Sequence, residues 1–212
     1  MARVVSQADG VNRRVFQLGI KSREAMAKLI AGLNNAEECG ASLKALRNKL
    51  LGHEALKGWM VTELGIVDRL LPFLENDVRI DWQREAIVIL GSIAYGGRAE
   101  MTALLEVNVP TLLLQLIIRR DDEKMRESAM RALRTIYRQG GTPRELPYRE
   151  DVLPKLVELM ESAGERTREY CTIVLASCCE DKRRQEALRE RRIIALAMQM
   201  LMPKETLPFA TM

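Results

Sequence analysis

The sequence predicts an all-α fold, a solenoid of repeated helical units, from two apolar ladders and a composition that favours helix. Ala45-Leu46-Arg47-Asn48, Ile89-Leu90-Gly91-Ser92, Ala132-Leu133-Arg134-Thr135 and Val174-Leu175-Ala176-Ser177 align on one leucine, and Leu46, Leu90, Leu133 and Leu175 are 44, 43 and 42 residues apart. Val67, Val109, Leu153 and Ile194 form a second ladder with intervals of 42, 44 and 41 residues. Leu, Ala, Met, Ile, Arg and Glu dominate, which favours helix over sheet. With 212 residues, 47% of them apolar, 29% charged and 4% aromatic, the chain has enough material for a continuous core built from nearest-neighbour contacts between repeats.

A helical period of about 40 to 47 residues is that of an armadillo or HEAT array. Within each unit a short, a medium and a longer helix can be told apart, which selects an armadillo-repeat right-handed superhelical solenoid over residues 21–202, with a flexible segment at 1–20 and a tail at 203–212. The first unit is partial: Ser22 reads as an N-cap with Glu24 after it, Ala25 to Leu33 as a helix, Asn34-Asn35 as a break, and Glu37 to Leu51 as the next helix. The second unit, His53 to Gly96, places helices at Glu54 to Leu64, Val67 to Leu74 and Asp81 to Tyr95, with Gly96-Gly97 as a left-handed cap. Pro72 falls inside the middle helix, which should start late or kink there. The third unit runs from Arg98 to Gln139; Pro110 opens its middle helix, where a missing N–H is harmless, and Gly140-Gly141 marks its end.

The fourth unit departs from the pattern. Thr142-Pro143-Arg144-Glu145-Leu146-Pro147-Tyr148 replaces the first helix by a loop with at most one helical turn, ahead of helices at Val152 to Glu161 and Arg166 to Glu180. A fifth unit supplies Arg183 to Arg191 and Ile193 to Met202, and then Pro203 to Phe209 stands where a third helix should pack. Solenoid ends need polar caps, so the apolar surface of Ile193 to Leu201 reads as that of a truncated form, a fragment or a docking end.

The longest apolar run, Val109 to Ile118, is interrupted by Pro110, Thr111 and Gln115 and falls short of the roughly 20 residues of a membrane span. The first ten residues lack the apolar core of a secretory signal, so the expected location is cytoplasmic and nuclear. Cys39, Cys171, Cys178 and Cys179 contain no Cys-x-x-Cys pair and read as small helix residues, with Cys178 and Cys179 pointing about 100° apart. His53 is the single histidine, beside Gly52 in a turn, and no glycine-rich phosphate loop is present. Catalysis, metal and cofactor are therefore not expected. The formal charge of +4, from 33 basic and 29 acidic residues, identifies no partner by itself.

Binding remains. Successive third helices should lie side by side and form a concave face from residues two before and two after each repeated leucine: Lys44 and Asn48, Val88 and Ser92, Arg131 and Thr135, Ile173 and Ser177. The expected partner-binding residues are Lys44, Asn48, Ser92, Arg131, Arg134, Thr135 and Arg138. The importin-α family clamps basic peptides with Trp and Asn pairs at such positions; only Asn48 matches, since Trp59 and Trp82 lie off the ladder, and the three arginines would repel a basic peptide. The arginine stripe from Arg126 to Arg138 suits an acidic protein segment. It also reads as a solvated face, or as a nucleic-acid surface, against which stand the interleaved Asp121-Asp122-Glu123 and Glu127 and the lack of stacking aromatics.

Three segments carry a closer resemblance: Ile89 to Gly96, Ala132 to Tyr137 leading into Thr142 to Tyr148, and Glu169-Tyr170-Cys171 with Ser177-Cys178-Cys179. From about Glu38 to Leu201 the chain resembles the N-terminal repeats of the armadillo repeat-containing protein 8 family. The second segment carries most of the weight, because it pairs an irregular loop with the helix before it. The resemblance implies a non-catalytic scaffold of the CTLH or GID ubiquitin ligase complex that contacts core scaffold subunits. Family members continue through many more repeats, and the later part holds the substrate receptor. The other reading is a peptide-binding adaptor of the nuclear-transport or β-catenin-like signalling type.

Overall fold

The computed structural model describes residues 20–139, 141–179 and 181–190, with Ile20 and Lys21 described by backbone alone. Eleven α-helices and two 3₁₀ turns are found among them, and no strand: α1 (Ile20–Gly32), α2 (Cys39–Leu50), α3 (Glu54–Thr62), α4 (Ile66–Leu70) continued by a 3₁₀ turn at Leu71–Leu74, α5 (Ile80–Ile93), α6 (Arg98–Glu106), α7 (Val109–Arg119), α8 (Glu123–Gln139), a 3₁₀ turn at Leu146–Tyr148, α9 (Leu153–Ser162), α10 (Glu165–Ser177) and α11 (Lys182–Glu190). The chain divides into two compact units, the first ending at Pro143 and the second beginning at Arg144.

Both ladders are core. Leu46, Leu90 and Leu133 are fully buried and Leu175 is 1% exposed, while Val67, Val109 and Leu153 are buried at the starts of second helices. Ile194, the second helix of the fifth unit, the expected N-terminal segment apart from Ile20, and the tail lie outside the described residues.

In the first unit α5 packs between α2 and α8, and second helices cover the other side of these third helices. One feature sets the α5–α8 distance: a Cβ on Gly91 would lie 3.0 Å from the Ala132 Cβ and 3.3 Å from its Cα. The links from first to second helices share one geometry, with Gly65 at φ 54° and Asn108 at φ 56°, both left-handed. Glycine and asparagine tolerate that region better than other residues.

Several boundaries differ from expectation, each for a local reason. Ser22 lies inside α1 rather than capping it. α2 starts at Cys39, not Glu37, because the Asn35 side chain accepts the Glu37 N–H at 3.0 Å and the Asn35 carbonyl accepts those of Glu38 and Cys39. The middle helix of the second repeat does not start late, beginning at Ile66; it passes into a 3₁₀ turn at Leu71–Leu74, where the missing N–H of Pro72 interrupts the α-type ladder. Gly97 is nearly fully extended (φ 158°, ψ −161°) and serves as N-cap of α6, so Gly96-Gly97 is not a left-handed cap. Pro110 sits in the first turn of α7 as expected.

The loop expected at Thr142–Tyr148 holds a single 3₁₀ turn at Leu146–Tyr148, and in the second unit its residues from Arg144 onward cap α10. Arg144 Nη1 donates to the Ser177 carbonyl at 2.5 Å, the Tyr148 hydroxyl to Leu175 at 2.8 Å, and Arg184 Nη1 to Cys178 at 2.9 Å. With these carbonyls capped by side chains, α10 ends at Ser177, and Cys178 and Cys179 lie beyond the helix rather than inside it as the sequence predicts. Arg184 also lies over the Tyr148 ring, 5.9 Å from its centroid. Burial, with the thiols of Cys179 and Cys178, pushes the Tyr148 phenol up from its ordinary value, and burial pushes the Cys171 thiol up to about 12.

Two variants test this packing. Gly91→Val drives a branched side chain into Ala132 and should destabilise the chain by about 1–3 kcal/mol in chemical denaturation. Tyr148→Phe removes the donor to Leu175 and should lower stability by about 1 kcal/mol, with no loss of helical circular dichroism.

Candidate functional site

Across the third helices of the first unit runs a groove of about 590 Å³, lined by Arg47 and Leu51 of α2 and its end, Lys57 of α3, Val88, Ser92 and Tyr95 along and just after α5, and Ser128, Arg131 and Thr135 of α8. The α5–α8 contact at Gly91 and Ala132 forms part of its floor. Leu51, 56% exposed, and Tyr95, 54% exposed, are the large apolar side chains that the described residues leave open to solvent, and both stand on this groove. A surface that is apolar and exposed at one place marks a contact site more often than scattered exposure does.

Its charge is basic. Arg134 Nη2 lies 3.5 Å from the Tyr95 hydroxyl, and the hydrogen bond with Thr135, then that with Arg134 and the positive charges of Arg134 and Arg138, hold the Tyr95 phenol below its ordinary value. Lys57 is 5% exposed, lines the groove, and has no hydrogen-bond or ion-pair partner for its ammonium among the described residues. Its stem is packed while the ammonium nitrogen reaches the groove, where it adds to the positive charge of Arg47 and Arg131. Glu85 is the nearby carboxylate that is already engaged: it lies 2.9 Å from Arg47 Nη1, tying α5 to α2.

The expected residues divide into two sets. Ser92, Arg131 and Thr135 line the groove, and Arg134 and Arg138 act on Tyr95 at its edge. Lys44 and Asn48 are exposed on α2 but do not line it, because Arg47 occupies the Asn48 Oδ1 from Nε at 3.3 Å and Nη2 at 3.2 Å. In the second unit Ser177 donates back to the Ile173 carbonyl at 2.7 Å, so its proton is used within its own helix, whereas the Thr135 hydroxyl, 3.2 Å from the Arg131 carbonyl, is shared between that acceptor and the Tyr95 phenol. Arg126 is bound to Asp121 at 2.6 Å and leaves the stripe. Tyr95, Leu51 and Lys57 were missed. Tyr95 follows Ser92 by three residues, a helical neighbour on one face, whereas Lys57 enters from a first helix, away from the positions that the period marks.

Among the described residues no group of three or more His, Cys, Asp or Glu side chains could hold a metal ion. No single described helix is long and apolar enough to cross a membrane; α6 and α7 pass that test only together, with a 59° bend between them.

Repeated three-helix units with a groove across their third helices define an armadillo-repeat fold, and solved structures agree. A computationally designed armadillo repeat protein for modular peptide recognition superposes with a TM-score of 0.70 over 84% of this chain and 75% of its own, at 17% identity. A designed armadillo repeat protein in complex with peptide (KR)4 superposes with a TM-score of 0.66 at 16% identity, over 91% of this chain and 84% of its own. In sequence, the chain is similar to armadillo repeat-containing protein 8: it is 32% identical to the Mus musculus protein over 145 residues and 30% identical to the Xenopus laevis protein over 151 residues, 68% and 70% of this chain. It spans about a fifth (21%) of the length of each. No family model matches the sequence.

The groove depends on how α8 begins. Asp122 accepts from Arg84 Nη2 at 2.6 Å and from the Met125 N–H at 2.6 Å, joining α5 to the start of α8. Burial pushes this carboxyl up, but the hydrogen bonds from Arg84 and Met125 and the Arg84 charge outweigh it and hold it below the ordinary carboxylate range. A depressed folded value means that the contribution is complete above the unfolded value of about 3.9 and is lost as pH falls through the folded one. Asp122→Ala should lose about 1–2 kcal/mol at neutral pH, and its deficit relative to the parent chain should shrink in denaturation experiments carried out at progressively more acid pH.

Proposed function

We propose that the chain is a non-catalytic protein-interaction module whose first unit holds an acidic, extended segment of a partner protein across α2, α5 and α8. The observation that carries this reading is the groove itself, with Lys57, Arg47 and Arg131 among its lining, the charges of Arg134 and Arg138 at the Tyr95 edge, and no acidic side chain in the lining. Leu51 and Tyr95 add an apolar contact, so the segment combines carboxylates with a large apolar side chain. The designed armadillo protein that is in complex with (KR)4 supports an extended peptide as the kind of ligand. The positive edge here favours the opposite charge.

The larger assembly follows from the similarity to armadillo repeat-containing protein 8. We infer a scaffold in a CTLH- or GID-type ubiquitin ligase complex, acting in proteasome-dependent degradation in cytoplasm and nucleus and contacting core scaffold subunits. Purification of the chain from its native cells tests this: ring-type ligase subunits recovered in fixed ratio support it, and recovery of nuclear-transport receptors or cadherin-like tails would sink it.

The groove itself is tested with a fluorescent peptide containing several glutamates and one central leucine. Replacing Arg131, Arg134 and Arg138 together by Glu should weaken binding by more than tenfold, about 1.4 kcal/mol or more, and raising salt should weaken binding to the parent chain. Equal affinity for the parent and the triple variant, with helicity intact in both, would remove the groove from the proposal.

A further inference from the structure

The first unit carries a second groove, of about 850 Å³, between its first helices α3 and α6. Its walls are Ala55, Gly58 and Thr62 of α3 and Ala99, Thr102 and Ala103 of α6. The Thr62 and Thr102 hydroxyls donate to the carbonyls of Gly58 and Arg98, at 3.0 and 2.9 Å, and so need no external acceptor. Small residues one turn apart on two neighbouring helices leave a valley between them, the kind of groove into which the ridge of another helix packs.

The floor holds a carboxylate. Glu100 is 8% exposed and has no hydrogen-bond or ion-pair partner among the described residues. Its side chain fits where three glycines have no Cβ: one on Gly58 would lie 3.0 Å from Oε1, one on Gly96 2.7 Å from Cγ, and one on Gly97 3.3 Å from Oε2. Glu100 occupies the first turn of α6, where the helix dipole favours a negative charge, yet no backbone N–H of the turn reaches it among the described residues. Glu54, Glu100 and Glu106 line the groove against Arg98 alone, so its charge is opposite to that of the groove over α2, α5 and α8.

We propose that the α3–α6 groove is a separate docking site for a basic helix of a partner protein, which inserts one lysine or arginine to pair with Glu100. The Glu100 side chain is packed against three glycines while its carboxylate oxygens, without a partner among the described residues, open into the groove and select the cation, and the small-residue walls admit the helix that delivers it. This site is independent of the acidic-segment reading above, because the two grooves share no lining residue and attract opposite charges.

A library of helical peptides with Lys, Arg, Gln or norleucine at one central position, selected on the full chain, tests the proposal. Lysine or arginine should be enriched at that position, and the selected peptides should bind Glu100→Gln at least tenfold more weakly and Ala103→Trp not measurably. Glu100→Gln should keep its affinity for the glutamate-rich probe and melt no lower than the parent, since the carboxylate holds no hydrogen bond or ion pair among the described residues that the amide would lose. Lack of enrichment, or equal binding to Glu100→Gln, would overturn the site. A lowered melting temperature would make Glu100 a structural cap instead. A dimer of the parent chain that Glu100→Gln disperses in sedimentation would make the occupant a second copy and overturn the assignment to a partner.

Discussion

The near-contact of Gly91 with Ala132 governs what the first unit can do. A repeat array has no central core; each unit buries its apolar face only against the next, so the spacing of adjacent third helices is the main geometric variable. At Gly91 the two helices approach until the place of the missing side chain is taken by Ala132, its methyl first and its Cα next. That contact is part of the floor over which Ser92, Tyr95, Arg131 and Thr135 come together, while the Arg47–Glu85 pair ties α5 to α2 and the Arg84–Asp122 pair ties it to α8. The groove is thus a product of helix spacing first and of side-chain identity second.

The two valleys of this unit divide its charge. Lys57 lies at the bottom of one and Glu100 at the bottom of the other, both nine-tenths buried or more. The packed stem of each fixes where its charged end meets the groove, so the two valleys offer opposite charges at defined positions. A formal charge of +4 for the whole chain hides this separation.

The repeat was legible in the sequence because the physics behind it is local: the leucines and valines of the two ladders recur because every unit must bury the same positions, and the loop from Thr142 to Tyr148 could be read from its two prolines. The boundaries were less legible where backbone competition decides them, as with Asn35 before α2 and the 3₁₀ passage at Pro72. The site was legible only on third helices. Ser92, Arg131 and Thr135 fell where the period put them, whereas Asn48 was already occupied by its neighbour Arg47, and Lys57 and Glu100 belong to first helices that the ladder arithmetic did not address. Contacts that cross from one helix layer to another leave no periodic trace.

The loop that stands in place of a first helix in the fourth repeat has a consequence for how this protein can change over time. In an ordinary array a unit can be duplicated or deleted as a block, since its contacts with its neighbours are interchangeable. Here the end of α10 is held by Arg144, Tyr148 and Arg184, three side chains contributed from either side of the helix in sequence. Copying or excising the helix without both flanks would strip its terminal carbonyls of their donors. The fourth repeat is therefore a fixed landmark in an otherwise modular design, and gain or loss of repeats should occur around it.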